Sequence, residues 1–474
     1  MKKYFLLLGL ALLLANCTKG DRGQLVGAEG KEWHPQKPFG MTEVPGGSFI
    51  MGKSDEDIAG LKNAPPKTVT VSSFYMDETE ITNAEYREFT DYVRDSVVRQ
   101  ALAEEAEFAG GGNQAGGQGQ GQGGGGNGKT IQDFAFKGSN QNNNQNAGQG
   151  QGGQNSNQSA FEQFSKHYDP NKQALNWKED LIWDKNQWPD ESYVMVMDGF
   201  YTSGDESVTG KLMLNKDKLV YSYRTVDEAA AAKNDASPSE YIEEHDVQVY
   251  PDTAVWVKDF EYSYNDPMLS EYFSHSAYDD YPVVGVSWKQ AKAFCEYRTQ
   301  KHNRYRREQE IENVPKYRLP TEPEWEYAAR GGLQGATYPW GGPYSLDDRG
   351  CFLANFKPMR GDYAADNALY TVEAESYGPN DYNLYNMAGN VSEWVNSSYK
   401  ANAYEFYSSM NPTVQNFKNQ QKVIRGGSWK DVSYFLEVST RDYEYADSAR
   451  SYIGFRTVQN YLATDRNLNQ PPQG

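Results

Sequence analysis

Apolar residues fall in short runs along this chain, of a length that suits strands and helices packed in a small-element fold. Phe5 to Leu14 is almost purely apolar and follows the charged Met1-Lys2-Lys3. That run is too short to span a bilayer and has the layout of an export signal. Met41 to Gly52 predicts two short strands about the Pro45-Gly46-Gly47 turn, and Val69 to Met76 alternates like a strand. Thr82 and Glu85 are placed as a capping box, and Tyr86, Phe89 and Val93 continue at helical spacing. From 109 to 159 the chain is nearly all Gly, Gln and Asn. Such a stretch has little to bury against an ordering cost of roughly 1–2 kcal/mol per residue, so a disordered loop is expected. Pattern returns at Leu175, with strand-like runs at Tyr193-Val194-Met195-Val196 and Lys218 to Tyr223. Ser287 with Gln290, and Thr321 with Glu324, mark two further capped helices. Pro323 suits the first turn of the second, and Gly331 its stop. The rest is loop-rich, with tryptophans at Trp340, Trp394 and Trp429.

Charge narrows the class. The 474 residues carry 46 basic and 65 acidic groups, a formal charge of -19. A nucleic-acid partner would need a basic footprint, and none is present. Aromatics make up 14%, including 35 Tyr, which suits a core built from rings. The apolar run ends at Leu14-Ala15-Asn16-Cys17, which resembles a bacterial lipobox and would place acyl chains on Cys17. After it, only Asp21 follows Lys19, whereas export to the cell surface tends to need a lysine and clustered acids. The expected location is therefore the outer membrane, lipid-anchored and facing the periplasm. Cys295 and Cys351 are the remaining cysteines, and their spacing leaves both a bridge and free thiols open.

Candidate chemistry is sparse. The five histidines are scattered without metal-binding spacing, so no redox or transition-metal cofactor is expected. Asp77, Glu78 and Glu80 precede a capped helix, where acids favour its dipole. Glu322 and Glu326 share a helix face, but Glu324 is already explained as a cap. No Gly-Gly pair ends in the signature of a phosphate loop, and Ser428 has no evident His partner.

The succession VPGGSFIMG, RLPTEPEWEYAARGG, YNMAGNVSEW, RGGSW and GFR resembles the formylglycine-generating-enzyme (sulfatase-modifying-factor) family. The resemblance covers about 41–97 and 279–460. It implies an α+β, loop-rich, C-type-lectin-like fold with a large, partly disordered insert. The organisation expected is a signal peptide at 1–16, lipidated Cys17 and tether at 17–40, the family fold at 41–97 and 279–460, the insert at 98–278, and a tail at 461–474. Family enzymes oxidise a substrate cysteine with two cysteines placed just after the RGGS-type segment. Here that segment reads Trp429-Lys430-Asp431-Val432-Ser433-Tyr434, and no thiol follows before Gly454-Phe455-Arg456. The fold is kept and the chemistry lost, so the chain is expected not to be an enzyme. The usual C-terminal disulfide partner of the Cys295 helix is missing as well.

The resemblance also implies structural Ca2+. One ligand set would be Asn355, the Phe356 carbonyl, Asp366 and the Ala368 carbonyl. A second would be the Gly389 and Val391 carbonyls with Glu393. Arg425, Arg441, Arg450 and Arg456 would tie C-terminal loops to core carbonyls and acids. The lipobox start, Lys31-Glu32-Trp33-His34-Pro35, and the insert ending Tyr262-Ser263-Tyr264-Asn265-Asp266-Pro267 are similar to the GldK/PorK lipoproteins of type IX secretion and gliding motility. That likeness implies a periplasmic ring of copies of the chain, a GldN/PorN-like periplasmic partner, outer-membrane secretion components and a membrane anchor. The alternatives are an active oxidase of the same fold or a glycan-binding module.

Overall fold

The computed structural model describes residues 36–53, 57–111, 130–135, 175–202, 213–226, 231, 241–259, 271–414 and 419–462. Pro38–Asn460 form one compact unit; Met1–Lys37 with Tyr461–Gly474 form another, of which only 36, 37, 461 and 462 are described. The signal peptide, Cys17, the tether as far as residue 35, the Lys31–Pro35 motif, residues 261–270 of the insert end and the tail from 463 lie outside the described residues.

Two strands form on either side of Pro45-Gly46, but they are not partners. β1 (Met41–Val44) pairs antiparallel with β4 (Phe74–Asp77), while β2 (Gly47–Met51) pairs with β3 (Lys67–Val71). The alternating run Val69 to Met76 is thus two strands, broken at Ser72-Ser73, and the Ser73 hydroxyl accepts the Gly46 N–H at 2.8 Å. Thr82 caps α1 (Asn83–Gly111): its hydroxyl accepts the Glu85 N–H at 3.3 Å and the Glu85 carboxylate accepts the Thr82 N–H at 3.0 Å.

α1 runs across the expected insert boundary at 98. Its first half packs Tyr86 and Phe89 against Phe294 and Phe455. Its second half carries Val98, Leu102 and Ala106 into a separate core. That second core is completed by α2 (Ile131–Ala135) and α3 (Glu191–Asp198). Residues 131–135 fall inside the Gly/Gln/Asn tract expected to be disordered. They are helical because Ile131, Phe134 and Ala135 form one apolar face that α1 covers. The remainder of that expectation, 112–129 and 136–159, lies outside the described residues. Tyr193 to Val196, expected as a strand, is α3. Asp190 caps it by accepting the Tyr193 N–H at 2.7 Å, and Tyr193 and Met197 bury one helix face. A short apolar run is ambiguous between strand and helix, and here the cap decides. Buried Arg99 holds the insert together by donating to the carbonyls of Phe134 at 3.3 Å and Glu179 at 2.5 Å.

The hairpin β5 (Val220–Val226) and β6 (Ile242–Gln248) and the short α4 (Val255–Asp259) lead back to the frame. There α5 (Trp288–Glu308) begins at the Ser287–Gln290 capping box. β7 (Tyr317–Arg318) precedes α6 (Glu322–Ala329), which opens on the Thr321–Glu324 box with Pro in its first turn. β8 (Ser392–Ser398), α7 (Ala403–Phe406), β9 (Gln421–Arg425), α8 (Ser433–Leu436), β10 (Asp442–Tyr445), β11 (Ile453–Gly454) and β12 (Val458–Asn460) complete the chain. One sheet has the order β1-β4-β12-β7 and the other β10-β9-β8-β11. The result is α+β and loop-rich, as expected. Buried tryptophans stitch the loops: Trp394 Nε1 donates to the Val286 carbonyl at 3.0 Å and Trp288 Nε1 to that of Val395 at 2.9 Å. Cys295 is buried, Cys351 is exposed, and they are not bridged. Burial pushes the Cys295 thiol well up, so it stays protonated and unreactive.

Candidate functional site

β9 ends at Arg425 and the backbone turns through Gly426 and Gly427, at φ of +94° and +66°. A Cβ on Gly427 would lie 2.8 Å from the Phe435 backbone, so only glycine lets the two segments approach. The segment that follows is held by Ser428, whose hydroxyl donates to the Asp431 carboxylate at 2.5 Å, while the Asp431 N–H bonds the Ser428 carbonyl. A cavity of about 50 Å³ lies here, bordered by Lys430, Asp431, Phe435, Asp442 and Tyr452. Lys430 Nζ sits 3.2 Å from the centre of the Tyr452 ring. Burial lowers the lysine's pKa and raises those of Asp431 and Asp442. This is room for a water or two beside one ammonium and two carboxylates. It contains no nucleophilic sulfur.

Beneath this turn lies a buried quartet. Arg425 donates to Glu326 and, at 3.4 Å, to Glu322, and also reaches the carbonyls of Val438 and Ser439. Arg441 Nη2 meets Glu322 at 3.0 Å, and its Nη1 meets the Asn63 carbonyl at 2.7 Å. Tyr407 donates to Glu322 at 2.8 Å. Burial drives the Glu322 carboxyl up, but the Arg441 and Arg425 guanidiniums outweigh it and hold the pKa below the ordinary value. The two glutamates on one face of α6 are therefore ion-pair partners of the arginines rather than a hydrolytic pair. Arg450 is tied to Glu444 at 2.8 Å and to Asp259 at 3.4 Å.

Arg456 clamps Glu393 at 2.7 to 2.9 Å, and Trp325 Nε1 donates to the same carboxylate at 2.7 Å. Each oxygen of Glu393 accepts two such bonds, which uses its lone pairs. The second expected calcium set, Gly389, Val391 and Glu393, therefore does not fit the ion in this geometry, because its one carboxylate is already neutralised by a guanidinium. The first set differs. Asn355 Oδ1 is buried and has no hydrogen-bond partner, although its amide nitrogen donates to the Tyr370 carbonyl at 2.8 Å. Asp366 accepts the N–H groups of Phe356 at 2.8 Å and Ala368 at 3.3 Å, which brings the named residues together, and burial raises its pKa. A buried amide oxygen without a partner, one residue before the N–H that Asp366 accepts, fits a hard cation. Calcium there would be held by Asn355, Asp366 and the carbonyls of Phe356 and Ala368, and would supply charge compensation to the loop. Among the described residues no group of three or more His, Cys, Asp or Glu gathers as a metal site, so such a cation would rely on amide and carbonyl oxygens.

Glu80 was not legible as a site residue. Its place ahead of the α1 cap suggests a dipole partner, yet it is fully buried and accepts from Asn386 at 3.2 Å and Asn390 at 3.0 Å. Asp77 likewise turns inward, to Arg298 and Thr457. Burial, against the pull of Arg456, pushes the Glu80 pKa to about 8. Asn390 in turn accepts from the Val372 N–H at 3.0 Å, and its carbonyl accepts the Trp429 N–H, so one polar network runs from Glu80 to the turn after Gly427. Asn386 and Asn390, the two partners of Glu80, both sit at a positive φ, which Asn tolerates better than most residues.

The model of the sulfatase-modifying factor enzyme 1-like domain matches residues 30–159 and 178–461. The inactive C-alpha-formylglycine-generating enzyme 2 of Bos taurus is 34% identical over 183 residues, 37% of this chain and 50% of that protein. The formylglycine-generating enzyme of Mus musculus is 31% identical over 195 residues, 39% of this chain and 46% of that protein. The chain thus spans about half the length of the curated relatives it matches. Among solved structures, PvdO from Pseudomonas aeruginosa aligns with 89% of this chain and 94% of its own at 16% identity and a TM-score of 0.43.

Proposed function

The chain belongs to the sulfatase-modifying factor enzyme 1-like domain family, and we propose that it is a non-catalytic member: a lipid-anchored scaffold on the periplasmic face of the outer membrane. One observation carries this reading. The turn after the RGGS segment holds Lys430 and Asp431 about a small cavity where family enzymes need a pair of thiols. The chain has three cysteines, and none lies between Arg425 and Arg456. The segment thus lacks the dithiol that family enzymes use on a substrate cysteine. The bovine relative, itself named inactive, is a precedent for a family member without the activity.

The finer reading is a GldK/PorK-type component of type IX secretion and gliding motility. It rests on the lipobox, the Lys31–Pro35 motif and the Tyr262–Pro267 insert ending. On this reading copies of the chain form a ring, bind a GldN/PorN-like protein and meet outer-membrane secretion components, with Cys17 acylated. Among the described residues no helix is long and apolar enough to cross a membrane. The test is mild-detergent affinity purification from native envelopes, followed by mass photometry. A megadalton species with one dominant periplasmic partner is expected. A lone chain of 53.5 kDa that converts a cysteine peptide to formylglycine would overturn the scaffold and establish an enzyme.

A further inference from the structure

The cavity after the RGGS turn is bordered by an amine that the fold does not use. Lys430 is half-buried there, with Nζ 3.2 Å from the centre of the Tyr452 ring. Among the described residues Lys430 makes no ion pair and no hydrogen bond. Lys53 shows the contrast: it also lies over a ring, that of Tyr434, but it is paired with Glu437. An ammonium drawn out of water without an acceptor costs free energy, so a lysine kept only for structure is paired. Lys430 instead borders about 50 Å³ of space, room for about three non-hydrogen atoms. Tyr443 on the rim is exposed, so the cavity opens to solvent.

Two carboxyl groups border the same space. Asp431 accepts the Ser428 hydroxyl at 2.5 Å. Asp442 Oδ1 accepts the Tyr443 N–H at 2.8 Å, and its Oδ2 accepts no hydrogen bond among the described residues. Burial lowers the Lys430 pKa, against the pull of Asp431, Asp259 and Asp442 and with the push of Arg450. Burial raises the Asp442 pKa, and Asp431 adds to it. The amine is thus eased toward its neutral, nucleophilic form and the acid toward its protonated form.

The surroundings restrict what the amine can take. A bound anion, or a carbamate formed from carbon dioxide, would set a negative charge between two carboxyl groups. A bulky acyl donor exceeds the space. A small aldehyde suits it, because its adduct is an iminium cation, which the Tyr452 face and the carboxylates stabilise as they do the ammonium.

We infer that this cavity is a covalent binding site for a compact aldehyde, with Lys430 as the amine that takes it and Asp442 as the proton donor. The lone pair of neutral Lys430 forms the C–N bond, and the carbonyl π pair moves to oxygen, which takes up a proton from the nitrogen. The carbinolamine loses that oxygen as water on receiving a proton from the Asp442 carboxylic acid. The nitrogen lone pair then forms the C=N bond, leaving an iminium beside the Asp442 carboxylate. No oxidant or reductant takes part, and hydrolysis reverses the step. Capture without turnover is compatible with a scaffold, so the aldehyde site shares the cavity of that reading without depending on it, and ring assembly does not test it.

The experiment treats the full chain with limiting acetaldehyde and sodium cyanoborohydride, which fixes an imine as N-ethyl-lysine, and maps the lysines by peptide mass spectrometry. Lys430 should be labelled about tenfold faster than the exposed Lys62 and Lys400, and benzaldehyde, too large for the cavity, should show no such preference. Asp442→Asn separates the proton donor from a merely reactive lysine. It removes a charge that favours the ammonium, so plain amine reactivity predicts faster labelling of Lys430. Loss of the proton donor predicts labelling about tenfold slower. Lys53 reports folding in the same digest, because it stays unlabelled while it is buried against Glu437. Equal rates at Lys430 and the exposed lysines, preferential labelling by benzaldehyde, or labelling that is unchanged or faster in Asp442→Asn overturns the inference.

Discussion

Arg425 shows what a single residue carries in this fold. It is fully buried and neutralises two glutamates that are themselves fully buried. Arg425→Leu leaves Glu322 to Arg441 and Glu326 to Arg330, but removes a buried guanidinium shared by both, and should cost about 3–5 kcal/mol, read as a lowered urea midpoint. Adding Glu326→Leu should not recover that loss, because it also takes the carboxylate from buried Arg330, and full recovery would mean that Arg330 does not depend on it. Glu80 makes a pH prediction. Its folded pKa of about 8 lies above the ordinary 4.5, so the folded chain keeps a proton that the unfolded chain gives up. That stability is complete below the unfolded value and is lost as pH rises toward about 8. Melting curves from pH 5 to 8 should therefore flatten in Glu80→Gln, whose amide keeps the neutral form (~1 pH-unit steps suffice). An unchanged slope in that variant would assign the pH dependence to another group. Asn355 gives a third test. EGTA should lower the melting temperature of the wild-type chain, and Asn355→Leu should remove that sensitivity by deleting the orphaned oxygen. The arginines were legible as structural because GFR and RGGSW place guanidiniums among core motifs. Glu80 was not, because sequence order put it beside a helix cap and only the tertiary fold reveals Asn386 and Asn390 around it.

At the scale of elements, capping chemistry was the most readable signal. Thr82, Ser287 and Thr321 all cap as their spacing predicts, since the box is local and needs no tertiary partner. Thr321→Ala should cost about 1 kcal/mol in chemical denaturation. The effect should exceed that of an exposed cap, because α6 positions both Glu322 and Glu326. Pairing was not readable. Nothing in Met41 to Met51 says that β1 leaves its neighbour for β4, since that choice depends on β12 arriving on the other side of β4 from the far end of the chain. α3 was misread because a four-residue apolar run carries too little periodicity, and Asp190 was the overlooked cue.

For the whole molecule, the frame was legible from its motifs and the insert was not, because the insert core is assembled from three separated segments. Ile131 and Phe134 are its least obvious members. Removing residues 112–129 should leave the melting temperature nearly unchanged. Extending the deletion through 135 takes two apolar side chains from that core and should cost about 1.5–3 kcal/mol for each. Equal behaviour of the two deletions in a thermal melt would show that α2 contributes nothing.

Because α1 is one continuous helix shared by two cores, the insert is keyed to the frame by angular phase. One alanine added near Asp95 would turn the second core, which Val98 and Leu102 build together with Ile131 and Phe134, by about 100° against the frame. Seven added residues would return the face to within about 20° while moving the second core outward by about 10 Å. The helix therefore works as a threaded shaft: each added residue advances the insert and also turns it, by a net of about 100° for one residue and about 40° for four.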